Sequence, residues 1–336
     1  MKNKTKIYFI ENSYNYNGED LDSDKIGGSE KILINITNAL AKDEDLIIKV
    51  FNNTNKQKII NKVYWNNINQ IDINDKPDHV ISMSDANLFY KLNSKSNFLW
   101  SHSVQNIEKF IRKKQLIPFF KYKPIMILEG DYHYKNRSFF TSFYGKKILK
   151  IAVDDDFLNH NVDLNYIPLP TAIFTTKSDR NLDFLLNSWH EIKKNNSKTK
   201  LFINPPFKLT EINKKDGVFL RKKGNKKLLI QDLVKSRLFI TPGHKSEVFC
   251  LAAEEAKELC IPIVTMGYGS LYERVKHEKT GFIAKNMKEF VNYSVKILND
   301  DDLYLNLKKN LIEMKNLRNF NNVKKDLLSI LSKISE

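Results

Sequence analysis

Cysteine is scarce in this chain, with two among 336 residues, Cys250 and Cys260. That count excludes a disulfide framework, and the pair lacks the spacing of a metal-ligand set. Arginine is scarce too: only seven of the 55 basic residues are arginine, leaving 48 lysines. Arginine is the preferred reader of bases and phosphates, so the formal charge of +16 does not point to nucleic acid. Lysine, asparagine and isoleucine, all with A/T-rich codons, are abundant, and composition alone supplies much of that charge. No apolar run approaches the ~20 residues that span a bilayer. The four consecutive apolar residues of the opening MKNKTKIYFIENS are too few for a secretory core and read as a first strand. What is present, 41% hydrophobic and 11% aromatic residues, suffices for a large buried core. The expectation is a cytoplasmic globular protein of two domains.

Short apolar runs alternate with amphipathic patterns along the whole chain. Strands are expected at Lys6–Ile10, Leu46–Phe51, His79–Met83, Asn97–Trp100, Pro124–Leu128 and Ile148–Val153. Six more are expected at Ala172–Thr175, Lys200–Ile203, Gly217–Leu220, Leu238–Thr241, Ile261–Met266 and Phe282–Ala284. Helices are expected at Glu30–Ala41, Leu182–Lys193, Lys227–Val234 and Leu251–Leu259. Buried-type strands alternating with helices predict an α/β protein with parallel sheets. Twelve strands exceed one ordinary sheet, so two doubly wound, Rossmann-like domains facing a cleft are expected. The polar stretch 161–171, carrying Pro168 and Pro170, reads as the linker between domains at 1–160 and 172–310. A lysine-rich helical segment, 311–336, closes the chain and is placed back on the first domain.

Two stretches carry candidate chemistry. In IGGSEKILINITNAL, Gly27 and Gly28 precede a helix with an apolar stripe. The pair reads either as a plain turn or as a close approach for a phosphate at the helix N-terminus. In RLFITPGHKSEVFCLAAEEAKELCIPIV, a strand, a loop, a helix and a second strand follow one another. Such a loop is the functional end of a parallel unit. Glu247 lies in it, while Val248, Phe249, Cys250 and Leu251 bring backbone amides to the helix start. Glu255 lies about 6 Å further along the axis from Leu251. Two carboxylates bracketing an anion site suit an elongated, hydroxyl-rich phosphate ester, because a carboxylate accepts from vicinal hydroxyls. A solvated helix face, with Glu254, Glu255 and Glu258 outside, remains the alternative at this point.

Glu247 and Glu255 resemble the E-x7-E signature of family 4 retaining glycosyltransferases, enzymes of the GT-B fold that use nucleotide-sugar donors. GYGSLYERVKHEKTGFIA, with Glu273 and Gly281, resembles that family's glycine-turn segment, and IFTTKSDRNLDFLLNSW its donor-domain opening. GGSE at 27–30 and FLWSHSVQN at 98–106 resemble its first-domain loop and histidine-bearing strand end. The resemblance implies that Glu247 contacts the transferred sugar and Glu255 the ribose hydroxyls. It places the amides of 249–251 and Gly27–Gly28 near a UDP- or GDP-linked pyrophosphate, with Arg180 neutralising charge. The second basic residue of the family falls on Thr175, for which Lys177 could substitute. The usual E-G-F-G-L loop is altered by Val248 and Cys250. His102 is expected at the site, acting with Glu247 in transfer of a hexose. The implied activity needs no cofactor or metal, with a glycan, lipid-linked or protein acceptor. A sugar-nucleotide epimerase or a basic nucleic-acid binder are the alternatives.

Three further segments are noted. VDDD, 153–156, mimics a metal-binding DxD and reads as a loop. His133 reads as a structural histidine. EKFIRKKQLIPFFKYKP, 108–124, interleaves bases and aromatics, and suits either an anionic membrane face or a docked helix.

Overall fold

A computed structural model describes residues 4–23, 25–205, 216–222 and 224–332. The chain forms two compact units, 1–152 with 319–336, and 153–318. The first unit therefore ends at Ala152, so the expected boundary at 160 and the linker 161–171 fall inside the second unit.

The first sheet has eight strands: β1 (Thr5–Ile10), β2 (Leu46–Asn52), β3 (Lys58–Ile60), β4 (Val63–Asn67), β5 (His79–Met83), β6 (Ser96–Trp100), β7 (Ile125–Leu128) and β8 (Lys146–Ile148). Their order is β3-β4-β2-β1-β5-β6-β7-β8, parallel except for β3 on β4. The second sheet holds β9 (Thr171–Phe174), β10 (Lys200–Ile203), β11 (Val218–Leu220), β12 (Leu238–Ile240), β13 (Ile263–Thr265) and β14 (Gly281–Ile283). It is parallel throughout, in the order β11-β10-β9-β12-β13-β14. Both orders reverse beside a unit's first long strand, between β1 and β5 and between β9 and β12. In open parallel sheets ligands bind outside the carboxyl ends at that reversal.

Burial explains why these segments are strands. Ile7, Tyr8, Phe9 and Ile10 of β1 are wholly buried, as are Phe98, Leu99 and Trp100 of β6. Strands covered on both faces read as continuous apolar runs. The sequence missed β3 and β4, which are joined through Asn61 and Lys62, both left-handed at φ 50° and 64°. Such a two-residue turn is usually announced by glycine, and none stands there. The strand expected over Ile148–Val153 is instead β8, Lys146–Ile148. Beyond it Leu149, Ile151, Ala152 and Val153 stay buried while the chain leaves the sheet.

The segment expected as one closing helix is split. Asp301–Glu313 belongs to the second unit, and Phe320–Ser332 to the first; residues 333–336 lie outside the described residues. Phe320–Ser332 packs on the helix Gly28–Leu40 with Val323, Leu327 and Leu331 buried, and Lys324 pairs with Asp43 at 3.5 Å. The VDDD segment is also structural. Asp154 caps the short helix Asp155–Leu158, and Lys226 pairs with Asp154 and Asp156 at 2.9 and 2.8 Å.

Candidate functional site

In the first unit a cavity of about 230 Å³ opens where the strand order reverses. Glu11 follows β1 directly, Met83 ends β5 and Ser84 follows it, His102 follows β6, and Ser29 comes from the first turn of Gly28–Leu40; all line the cavity. Asn12, Ser13, Asp85 and Lys113 add further polar groups, and Tyr16 and Met83 add apolar surface.

His102 lines this cavity. Its backbone N–H donates to Ser84 Oγ at 2.9 Å, and its ring lies 5.2 Å from that of Trp100. Its Nδ1 meets Glu129 Oε1 at 2.6 Å, while Nε2 is buried without a hydrogen-bond partner. Burial pushes the imidazole pKa down, but the Glu129 carboxylate, helped by Glu30 and Glu11, more than offsets this and leaves it raised above 6.5. Glu11 is itself pushed up by burial, although Ser13 and Tyr16 donate to it, Tyr16 at 2.6 Å.

Gly27 and Gly28 stand at the N-terminus of the helix Gly28–Leu40. Gly27 has φ −87°, an ordinary value, so its backbone does not require glycine. Its N–H donates to Tyr14 Oη at 2.9 Å and is engaged rather than open to an anion. Gly28 is the first helical residue.

In the second unit the loop after β12 is fixed from several sides. The Glu247 N–H donates to His244 O at 3.0 Å, and its carbonyl accepts from Ser270 N–H at 2.9 Å. Gly269, at φ +67°, backs onto this loop, where an added Cβ would come within 2.7 Å of the Glu247 carbonyl oxygen. Arg180 donates through Nη1 to Ser246 Oγ, with His244 Nδ1 at 3.4 Å, and Asn181 donates to Gly243 O. Arg180 therefore holds the loop rather than standing free. Lys177 is exposed, and its carbonyl accepts from Arg180 N–H at 3.0 Å.

Glu247 itself is half-buried, with Oε2 buried and without a hydrogen-bond partner. Burial raises its pKa above 4.5, opposed by Arg180 and by a bond from the Cys250 thiol. Val248, Phe249 and Cys250 are buried. Arg274 stacks on Phe249, 4.3 Å from its ring, and donates to its carbonyl at 2.8 Å. Cys250 is left-handed, φ 56° and ψ 71°, and caps the helix Leu251–Glu258 without a side-chain bond. The solvated-face alternative does not hold, because Glu254, Glu255 and Glu258 are all buried. Glu254 pairs with Lys257 at 2.5 Å and with Arg274 at 3.5 Å, both of them in its own unit.

The sequence reading missed Glu11, Glu129 and Tyr16. A signal was available for the first two, since each carboxylate stands immediately after a buried strand. Among the described residues, no group of three or more His, Cys, Asp or Glu could hold a metal ion.

Residues 172–314 match the family model of glycosyl transferases group 1, a stretch lying wholly within the second unit. No curated protein matches the chain. Among solved structures, it is similar to a sucrose-phosphate synthase from Thermosynechococcus elongatus at 12% identity and TM-score 0.74, over 99% of both chains. It is also similar to Anabaena HepE in complex with UDP and glucose, at 12% identity and TM-score 0.71, over 98% of this chain and 99% of that one. S. aureus TarM, solved with UDP, shares 15% identity at TM-score 0.59 over 75% of this chain, which spans 55% of the TarM chain. The chain has the GT-B fold of two Rossmann-like domains, and its second domain carries the likeness to glycosyl transferases group 1.

Proposed function

We propose that this protein is a retaining, metal-independent glycosyltransferase that moves a hexose from a nucleoside-diphosphate sugar to a hydroxyl acceptor. The observation that carries the reading is the family match over 172–314, within which Glu247 Oε2 is buried and unpartnered. A sugar hydroxyl would satisfy that oxygen, as a charge-assisted hydrogen bond to a buried carboxylate is among the stronger ones. Glu255 would accept from the ribose hydroxyls. The amides at the start of Leu251–Glu258 would face the pyrophosphate, where a helix N-terminus favours an anion. In transfer, the bond from the anomeric carbon to the phosphate oxygen breaks and one to the acceptor oxygen forms. The acceptor proton passes to the departing diphosphate. His102 would donate a hydrogen bond to the transferred sugar or its phosphate.

A membrane-linked acceptor has its own support. Between 107 and 150 there are eleven basic and three acidic residues, a net +8 against +16 for the whole chain. Composition bias would spread lysines evenly, and here half the net charge sits in 44 residues. Ile111, Ile117, Phe120, Phe139 and Phe143 of the same stretch are exposed, and the rings of Phe120 and Phe139 both adjoin Phe143. Exposed aromatics amid lysines suit the cytoplasmic face of an anionic bilayer, with a lipid-linked glycan as acceptor. Among the described residues no helix is long and apolar enough to cross a membrane.

A thermal-shift screen of UDP- and GDP-sugars tests the reading, since a bound donor raises apparent stability by mass action. Acceptor-dependent release of nucleoside diphosphate, with the product anomer read by NMR, completes it. A protein stabilised by no nucleotide-sugar and releasing no diphosphate would refute it.

A further inference from the structure

His102 and His133 both contact Glu129, which follows β7 and is buried. The Glu129 backbone N–H donates to His133 Nδ1 at 3.3 Å, and its Oε1 lies 2.6 Å from His102 Nδ1. His133 is fully buried, and burial brings its pKa down to about 4. It is therefore neutral near pH 7 and keeps the lone pair that accepts the Glu129 N–H, which an imidazolium lacks. His102 is shifted the other way. Glu129, Glu30 from Gly28–Leu40 and Glu11 after β1 face it with negative charge, and burial alone opposes them. The two imidazoles are thus shifted in opposite directions, His102 raised by its carboxylates and His133 lowered by burial although Glu129 opposes it. With Ser84 on its backbone and Trp100 against its ring, His102 has its orientation fixed.

We propose that Glu129 and His133 are positioning residues for His102. His133 anchors the Glu129 backbone, and the Glu129 carboxylate accepts a hydrogen bond from the Nδ1–H of His102 and favours the imidazolium, in which both ring nitrogens carry a proton. The Nε2–H is thereby left as a donor for a ligand oxygen. The identity of that ligand rests on the reading above, whereas the arrangement of the three side chains does not. A carboxylate on Nδ1 fixes the orientation of the ring and favours its protonated form.

The test uses the full-length protein labelled with 15N-histidine, titrated by NMR without substrate, alongside steady-state kinetics with the best nucleotide-sugar found. In the parent, His102 is expected to titrate above the ordinary 6.5. Glu129→Gln keeps the shape and removes the charge. It should lower the His102 protonation constant at least tenfold and cut kcat tenfold or more, with the donor KM within twofold. The alkaline limb of the pH–rate profile should move to lower pH. His133→Gln, whose amide oxygen can accept the Glu129 N–H, should retain most turnover, while His133→Leu should not. An unchanged His102 titration in Glu129→Gln overturns the proposal, as does His133→Leu behaving like His133→Gln. Should Glu129→Gln fail to fold, parent His102 titrating at or below 6.5 overturns it instead. Because the titration is read without substrate, a parent that transfers no sugar refutes the proposed function and leaves this test intact.

Discussion

Glu247 and Cys250 share one loop and carry different burdens. Glu247 keeps a buried carboxylate oxygen unpartnered, while Cys250 holds a left-handed backbone that an L-residue adopts at a cost of ~1 kcal/mol. The family resemblance puts glycine at 250, and the φ of 56° shows why. Cys250→Gly should therefore be more stable than Cys250→Ala by about 1 kcal/mol, because both lose the thiol and only alanine keeps the strained Cβ. Denaturant midpoints of the two variants check this, and alanine ranking above glycine would contradict it. Glu247→Gln should leave affinity for bare nucleoside diphosphate within about twofold while transfer falls by ~10²-fold or more, since the sugar is absent from that ligand. Calorimetry beside turnover separates the two quantities. Equal losses in both would move Glu247 away from the sugar.

At the scale of elements, two pieces differ in how their charges are used. The helix Leu251–Glu258 turns its acidic residues inward, and Lys257 and Arg274 answer Glu254 there. Burial of an ion pair is weak support for stability, yet removing one partner leaves an uncompensated charge. Lys257 still answers Glu254 without Arg274, so Arg274→Met should destabilise the second unit by about 1–2 kcal/mol, through the lost stacking on Phe249 and the lost bond to its carbonyl. A denaturant midpoint equal to the parent's would show these contacts to be idle. The segment 107–150 instead turns most of its bases and several rings outward. The double variant Phe139→Ser, Phe143→Ser should lower partitioning onto anionic liposomes about tenfold or more, given ~25 cal/mol per Å² of apolar surface inserted. Flotation assays read this directly. Unaltered binding would leave the lysines alone as the attachment.

For the whole molecule, the buried His133 sets an acid limit. Its folded-state pKa, about 4, lies below the ordinary 6.5, so the unfolded chain takes up a proton that the folded chain refuses. Its contribution is present in full above pH 6.5 and is lost as pH falls toward 4, by about 3 kcal/mol over that span. His133→Gln should flatten this part of the stability profile, measured by urea unfolding at each pH. A variant with the parent's slope between pH 6.5 and 4 would show that other groups govern acid unfolding.

Much of this was readable in the amino-acid sequence. Apolar runs such as IYFI and FLW could be strands because both faces of a parallel sheet are buried, and all twelve expected strands lie within a few residues of observed ones. The candidate loop was readable as well, because Glu247 follows a strand and precedes a helix, where functional groups collect in such folds. Tertiary structure decided the rest. Burial of Glu254, Glu255 and Glu258 depends on neighbouring elements rather than on helix period. Arg180 is drawn to Ser246 and Gly27 to Tyr14 by partners distant in sequence, 66 and 13 residues away. Glu129 meets His102 only because β6 and β7 are paired in register, bringing their carboxyl ends side by side. Local pattern fixes which way a segment folds, but protonation and pairing are set by what the completed sheet places around each group.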